Sequence, residues 1–157
     1  MIGMIETGLY RAADILKSLN RFSLSSDSGT EKCDIHMIIE NCLILLKNKT
    51  KNKIVIEKKF TDYPHFIIGN EGSLHHAFLN ILTNAIQAID NEGRISVQTE
   101  LDEEDLYILI SDTGSGINQE DIKRITDPFF TTRDPGKGTG LGLSIAYSII
   151  KEHKGTI

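Results

Sequence analysis

The order of elements in this 157-residue chain predicts an α/β (α+β) two-layer sandwich, with helices on one face of a sheet. Two observations predict it. Helical stripes with apolar steps of three and four residues alternate with short β-rich runs, and two of those runs alternate apolar and polar residues across an acidic turn. The length suits one compact domain, with an amphipathic N-terminal helix appended.

That first helix is expected from Ile2 to Leu24. Ile5, Leu9, Ala12, Leu16 and Leu19 form its apolar stripe, and Glu6, Arg11, Asp14, Lys17 and Arg21 fill the other side. The small and polar residues from Ser25 to Thr30 then make a linker. Asp34 reads as the N-cap of a second helix reaching Lys47, with Ile35, Ile38, Ile39, Cys42, Leu45 and Leu46 on its buried face. After the lysine-rich turn from Lys47 to Lys53 come strands at Ile54 to Phe60 and Phe66 to Ile68. A third helix spans Ser73 to Ile89. Strands Ile95 to Leu101 and Leu106 to Ser111 flank the turn from Asp102 to Asp105, and a last helix spans Leu141 to His153.

The net charge of −5 does not suggest a nucleic-acid surface. Cys33 and Cys42 are far apart and form no metal or redox motif, so two reduced thiols and a cytoplasmic setting are expected. No apolar stretch approaches the ~20 residues that cross a bilayer, although a longer parent protein would be free to carry a membrane anchor.

Three segments carry chemistry. Asn80 and Asn84 are one helical turn apart, on a face expected to be buried among Phe78, Leu82, Ala85 and Ile89. They read either as core-edge amides satisfying backbone groups or as oxygen donors to a hard cation. Asp112-Thr-Gly114-Ser-Gly116 follows a strand. It is either an ordinary strand-ending turn or a carboxylate placed to accept from an adenine amino group, with glycines admitting a flat ring. Asp127-Pro-Phe-Phe-Thr-Thr-Arg133 leads into Gly136-Lys-Gly-Thr-Gly-Leu-Gly142 and directly into a helix. Here the apolar Phe129-Phe130 pair and the immediate helix start favour an anion site over a mobile loop, with backbone N–H groups and the positive helix end meeting phosphate. The spacing matches neither the dinucleotide fingerprint nor a Walker loop.

Taken together and in this order, Asn80-x-x-x-Asn84-Ala85, Asp112-x-Gly114-x-Gly116, Asp127 to Arg133 and Gly138-x-Gly140-Leu-Gly142-Leu resemble the N, G1, F and G2 boxes of sensor histidine kinases, within the gyrase- and chaperone-type (GHKL) superfamily. The resemblance implies a Bergerat-type ATP-binding fold with a mixed sheet, and ATP and Mg²⁺ as cofactors. It implies that Asn84 ligands Mg²⁺ and that Asn80 supports it or a phosphate. It implies that Asp112 reads the adenine amino group, that Gly114, Gly116 and Ile117 make the adenine pocket, that Gly138, Thr139, Gly140, Leu141 and Gly142 hold phosphates by backbone contacts, and that Gln87, Ala88, Phe130, Thr131 and Thr132 also contact the nucleotide. Phe129 and Phe130 would tether a lid running from Asn118 to Lys137, with Arg133 or Lys137 reaching the terminal phosphate.

The resemblance also implies protein-histidine kinase activity. The superfamily's ATPases carry a glutamate four residues before the Mg²⁺ asparagine, where this chain has Asn80, so transfer to histidine is expected over hydrolysis. Alternatives are an ATPase switch of the gyrase or chaperone kind, or a non-catalytic nucleotide-binding module. The family's His-Glu acceptor box is absent: His36, His65, His75, His76 and His153 are followed by other residues. The expected partners are therefore a phosphoacceptor histidine helix outside this chain, indirectly a response-regulator receiver domain, and a second copy through the N-terminal helix. Residues 1–28 would be part of the dimerisation hairpin and 29–157 the catalytic domain, lacking a C-terminal hairpin that the family normally has.

Overall fold

The computed structural model describes residues 29–103, 105–134 and 138–157. The predicted N-terminal helix, and Gly136 and Lys137 of the glycine-rich run, lie outside the described residues.

The chain opens with a strand not foreseen from the sequence, β1 (Glu31–Asp34). Asp34 then caps helix α1 (Ile35–Thr50), its carboxylate accepting from the Met37 N–H. Strands β2 (Ile54–Lys59) and β3 (Phe66–Gly69) follow. Asn70 caps helix α2 (Glu71–Ala88) through the N–H of Ser73. The long hairpin of β4 (Gly93–Asp102) and β5 (Asp105–Asp112) comes next, then a single 3₁₀ turn at Ile122–Arg124 and the last helix, α3 (Gly142–Glu152).

Among the described residues the strands form two sheets. β1 and β3 pair antiparallel, and β4 lies between β2, parallel to it, and β5, antiparallel. The mixed sheet was expected, and its parallel pair arises because α2 carries the chain from one end of the sheet back to the other. The separate two-stranded ribbon was not expected. Glu31-Lys-Cys-Asp34 is too short and too polar to announce itself, and it becomes a strand only because β3 is there to pair with.

Alternation along β4 turns Ile95, Val97 and Thr99 to the helices, where they are buried. Cross-strand register puts Ile110 opposite Val97 and Asp112 opposite Ile95, so Asp112 shares the helix-facing side of the sheet. Ile35, Ile38, Ile39, Cys42 and Leu46 of α1 and Leu74, Phe78, Leu82, Ala85 and Ile86 of α2 complete this core. Leu45, expected in the buried face of α1, is 67% exposed. Ile38, Cys42 and Leu46 already fill that stripe, and Leu45 falls to its flank. A smaller apolar seam of Ala77, Ala146 and Ile149 joins α2 to α3. His153 fastens the far end of α3, its Nδ1–H donating to the Ile149 carbonyl at 2.7 Å and its Nε2 accepting from the Asn70 N–H at 3.0 Å.

Candidate functional site

Asn80, Asn84 and Gln87 occupy one flank of α2 at steps of four and three residues. The flank is not the buried face the sequence suggested: Asn80 and Asn84 are half-buried and Gln87 is exposed. The core contacts come from the stripe of Leu74, Phe78, Leu82 and Ala85, and each asparagine lies two positions from Leu82, about 200° around the helix. The amide flank therefore looks past the sheet, towards the start of α3.

A Cβ on Gly142 would lie 3.8 Å from the Asn80 Oδ1, so the first residue of α3 stands against the first asparagine. Asn80 Nδ2 is buried without a hydrogen-bond partner. No side chain caps α3, whose N-cap position is Leu141. Free N–H groups at a helix start and an unsatisfied amide N–H thus converge, which is the chemistry of an anion site.

The glycine-rich segment is pinned to the phenylalanine segment by its backbone. The Phe129 N–H donates to the Gly140 carbonyl at 2.9 Å. Gly140 has φ 67°, and Phe129 adopts the left-handed region at φ 68°, costly for a bulky residue. The ring of Phe129 is 63% exposed, so its backbone makes this tie, while Phe130 carries the Arg124 guanidinium 4.4 Å above its ring. Thr131 accepts from the Arg133 N–H, and the Arg133 head reaches the Gln87 side-chain carbonyl. Thr132 is exposed. The Thr139 hydroxyl accepts from the Leu141 N–H at 3.4 Å.

At the other end of α2, Asp112 Oδ1 accepts from the Gly114 N–H at 2.8 Å. Gly114 packs so tightly on α2 that a Cβ there would fall 2.5 Å from the Ala88 carbonyl oxygen, which accepts from the Ser115 N–H. Gly116 and Ile117 follow on the exposed side. The sequence reading missed one clamp. The Thr113 hydroxyl accepts from the Arg94 N–H, and the Thr113 N–H returns a bond to the Arg94 carbonyl. The strand-ending position of Thr113 between Asp112 and Gly114 was the only signal. α2 thus holds the turn of Asp112 at its C-terminal end and the start of α3 along its flank.

Two surface clefts lie elsewhere. One, of about 410 Å³, sits at the acidic tip of the β4–β5 hairpin, and one of about 550 Å³ runs beside Lys53, Val55 and Arg94. Neither contains the amide flank. Among the described residues no three histidine, cysteine or acidic side chains converge as a metal cage, and no helix is long and apolar enough to cross a membrane.

Residues 69–157 match the family described as histidine kinase-, DNA gyrase B-, and HSP90-like ATPase. The chain belongs to this ATPase family. The match takes in every described residue of the site, and with it the expected nucleotide use and GHKL-type fold. Among proteins similar to this member of the family are sporulation kinase C of Bacillus subtilis, 38% identical over 73% of this chain and 26% of that protein, and the signal transduction histidine-protein kinase AtoS of Escherichia coli, 32% identical over 91% and 24%. The chain spans about a quarter of the length of the curated relatives it matches. In fold it is similar to the mycobacterial sensor histidine kinase MprB, with a TM-score of 0.72, 27% identity and 80% of each chain covered. The catalytic domain of histidine kinase ThkA has the same TM-score at 24% identity, covering 80% of this chain and 82% of that one.

Proposed function

We propose that residues 29–157 are the catalytic ATP-binding domain of a two-component sensor histidine kinase, and that residues 1–28 belong to its dimerisation hairpin. The observation that carries this reading is Asn80, with its unsatisfied Nδ2 beside the uncapped start of α3. In this role Asn80 and the first N–H groups of α3 donate to phosphate oxygens. Asp112 accepts from the adenine amino group through the carboxylate oxygen that Gly114 leaves free. The ring lies along the turn from Gly114 to Ile117 and the end of α2 at Ala88.

A metal at this site would be held by few protein groups. The Asn84 amide oxygen is a suitable hard donor, and with no carboxylate cage among the described residues the remaining ligands are phosphate oxygens and water, which suits Mg²⁺. When bound, Mg²⁺ neutralises charge on the phosphates. Thr131, Thr132 and Arg133, with Gly138 to Gly142, hold the phosphate chain.

An amide cannot take up a proton, so Asn80 offers no general base for water. An acceptor imidazole brings its own lone pair. A P–N bond forms on it as the bond to the β-phosphate oxygen breaks and ADP leaves. Inside this chain His36, His65, His75 and His153 are engaged in packing contacts, which supports an acceptor elsewhere. That acceptor helix, then a receiver domain, and a second copy docked through residues 1–28, are the proposed partners.

Mixing this chain with Mg·ATP and a separate phosphoacceptor hairpin tests the proposal. Acid-labile phosphate should appear on the hairpin and vanish with Asn84→Ala. Sustained release of inorganic phosphate without acceptor, and none transferred with it, would replace the kinase reading with an ATPase switch.

A further inference from the structure

Gln87 lies on the same flank of α2 as Asn80 and Asn84, and its side-chain carbonyl accepts a hydrogen bond from Arg133 Nη1. The backbone of that arginine is held independently. Its N–H is held by the Thr131 hydroxyl at 3.2 Å, and a Cβ on Gly138 would lie 3.4 Å from its Cδ. The guanidinium head can therefore exchange partners without releasing this backbone. Its present partner is neutral. The ion pairs among the described residues join Lys58 to Glu40, His75 to Glu71, Arg94 to Glu57 and Arg124 to Asp127, and none involves Arg133.

From this we infer that Gln87 is a positioning residue: it parks Arg133 beside the amide flank with its charge uncancelled, and so sets the preference of the site for a nucleoside triphosphate over a diphosphate. The inference rests on the ATP reading above. A carboxylate at position 87 would bind the guanidinium bidentately and neutralise it. An amide oxygen makes a single bond that a phosphate outcompetes, because phosphate matches the guanidinium fork with two charge-assisted bonds. A terminal phosphate therefore draws Arg133 off Gln87, and a diphosphate leaves it there. The geometry also gives Arg133 a defined place to return to once the terminal phosphate has gone.

The test measures affinities for Mg·ATP and Mg·ADP by calorimetry on the whole 157-residue chain. Arg133→Met should reduce the ATP/ADP preference about 10-fold, the usual scale of one hydrogen bond to a charged group. Gln87→Glu, which preserves size and adds the charge, should reduce it by a similar factor. Gln87→Met, which keeps the bulk and removes the acceptor, should reduce it by about 3-fold. In the Arg133→Met background, Gln87→Met should change the preference no further, because the two side chains act as one unit. A preference unchanged in Gln87→Glu, or an effect of Gln87→Met that persists without Arg133, would overturn the inference while leaving ATP binding intact. A wild-type chain that binds neither nucleotide would instead overturn the ATP reading beneath it.

Discussion

Gly140 and Phe129 stand so close that a Cβ on the glycine would lie 2.4 Å from the phenylalanine carbonyl carbon. The contact is backbone against backbone, so no rotamer change relieves it, and the φ of 67° at Gly140 already disfavours any side chain. Gly140→Ala should therefore break the Phe129–Gly140 bond and move the glycine segment off the start of α3. Nucleotide affinity measured by calorimetry should fall about 10-fold, taking ~1.4 kcal/mol as a mid-range cost of the strain. The melting temperature should change little, since neither residue is in the core. An alanine variant with wild-type affinity would show that this segment does not touch the ligand.

Asp112 presents a cleaner separation of structure from recognition. One carboxylate oxygen holds the Gly114 N–H, and an asparagine in the same pose keeps that bond through its amide oxygen. The substitution turns the second oxygen into a donor, which would face the donor amino group of adenine. Asp112→Asn should retain wild-type thermal stability and lose ATP binding. The same variant should discriminate less between ATP and GTP than the wild type, and unimpaired ATP affinity would remove Asp112 from the site.

His36 makes stability depend on pH. Its ring stacks on Phe60 at 4.7 Å, meets His65 edge-on, and bonds the Thr99 hydroxyl that also accepts from the Thr61 N–H. Burial, and then the neighbouring His65, lower its pKa from the ordinary 6.5, with Asp34 opposing them. The folded state therefore prefers the neutral ring. Its contribution is fully present above pH 6.5 and is lost as pH falls through the lowered folded value. Urea midpoints should decline with falling pH over that window, and the decline should be shallower in His36→Phe.

Both thiols should be silent until the fold opens. Cys42 is fully buried, with its sulfur 3.4 Å from His75 Nδ1, and burial raises its pKa to about 12. Cys33 is raised too, by burial and then by the nearby carboxylate of Glu31. Thiolate is the reactive form. At pH 8, a disulfide reagent should titrate neither thiol in the native chain and both in urea, and rapid native labelling of Cys42 would contradict the packing around α1.

The helices were legible in the sequence because periodicity and caps agree there. Asp34 accepts from the N–H three residues on, as its position before the apolar stripe predicts, and the apolar residues of α2 repeat in the order the fold uses, although Asn70 starts that helix at Glu71, two residues before the expected Ser73. The β4–β5 hairpin was legible for the same reason, with alternation on both sides of an acidic turn. β1 was not, because its register comes from a distant partner in the chain, Lys32 pairing with Ile68, 36 residues on. The site was legible as a set of motifs but not as a surface. Phe78, Leu82 and Ala85 surround the asparagines in sequence, yet the structure puts them on the core side and leaves the amides beside α3. Nor does any spacing rule connect Gln87 to Arg133 or Thr113 to Arg94, since those contacts join separate elements.

One helix, α2, supplies both the middle of the core and the amide flank, and this ties occupancy to durability. A nucleotide bound at Asn80 and Asn84 as proposed would have nothing comparable to hold in the unfolded chain, so at 100 times its dissociation constant it would add about 2.7 kcal/mol to unfolding of the whole domain. The dependence runs both ways. A cavity opened at Leu82, which is fully buried between the two asparagines in sequence, shifts the backbone from which both amides project. Heat resistance and grip on the nucleotide are therefore properties that selection has to tune together in this domain.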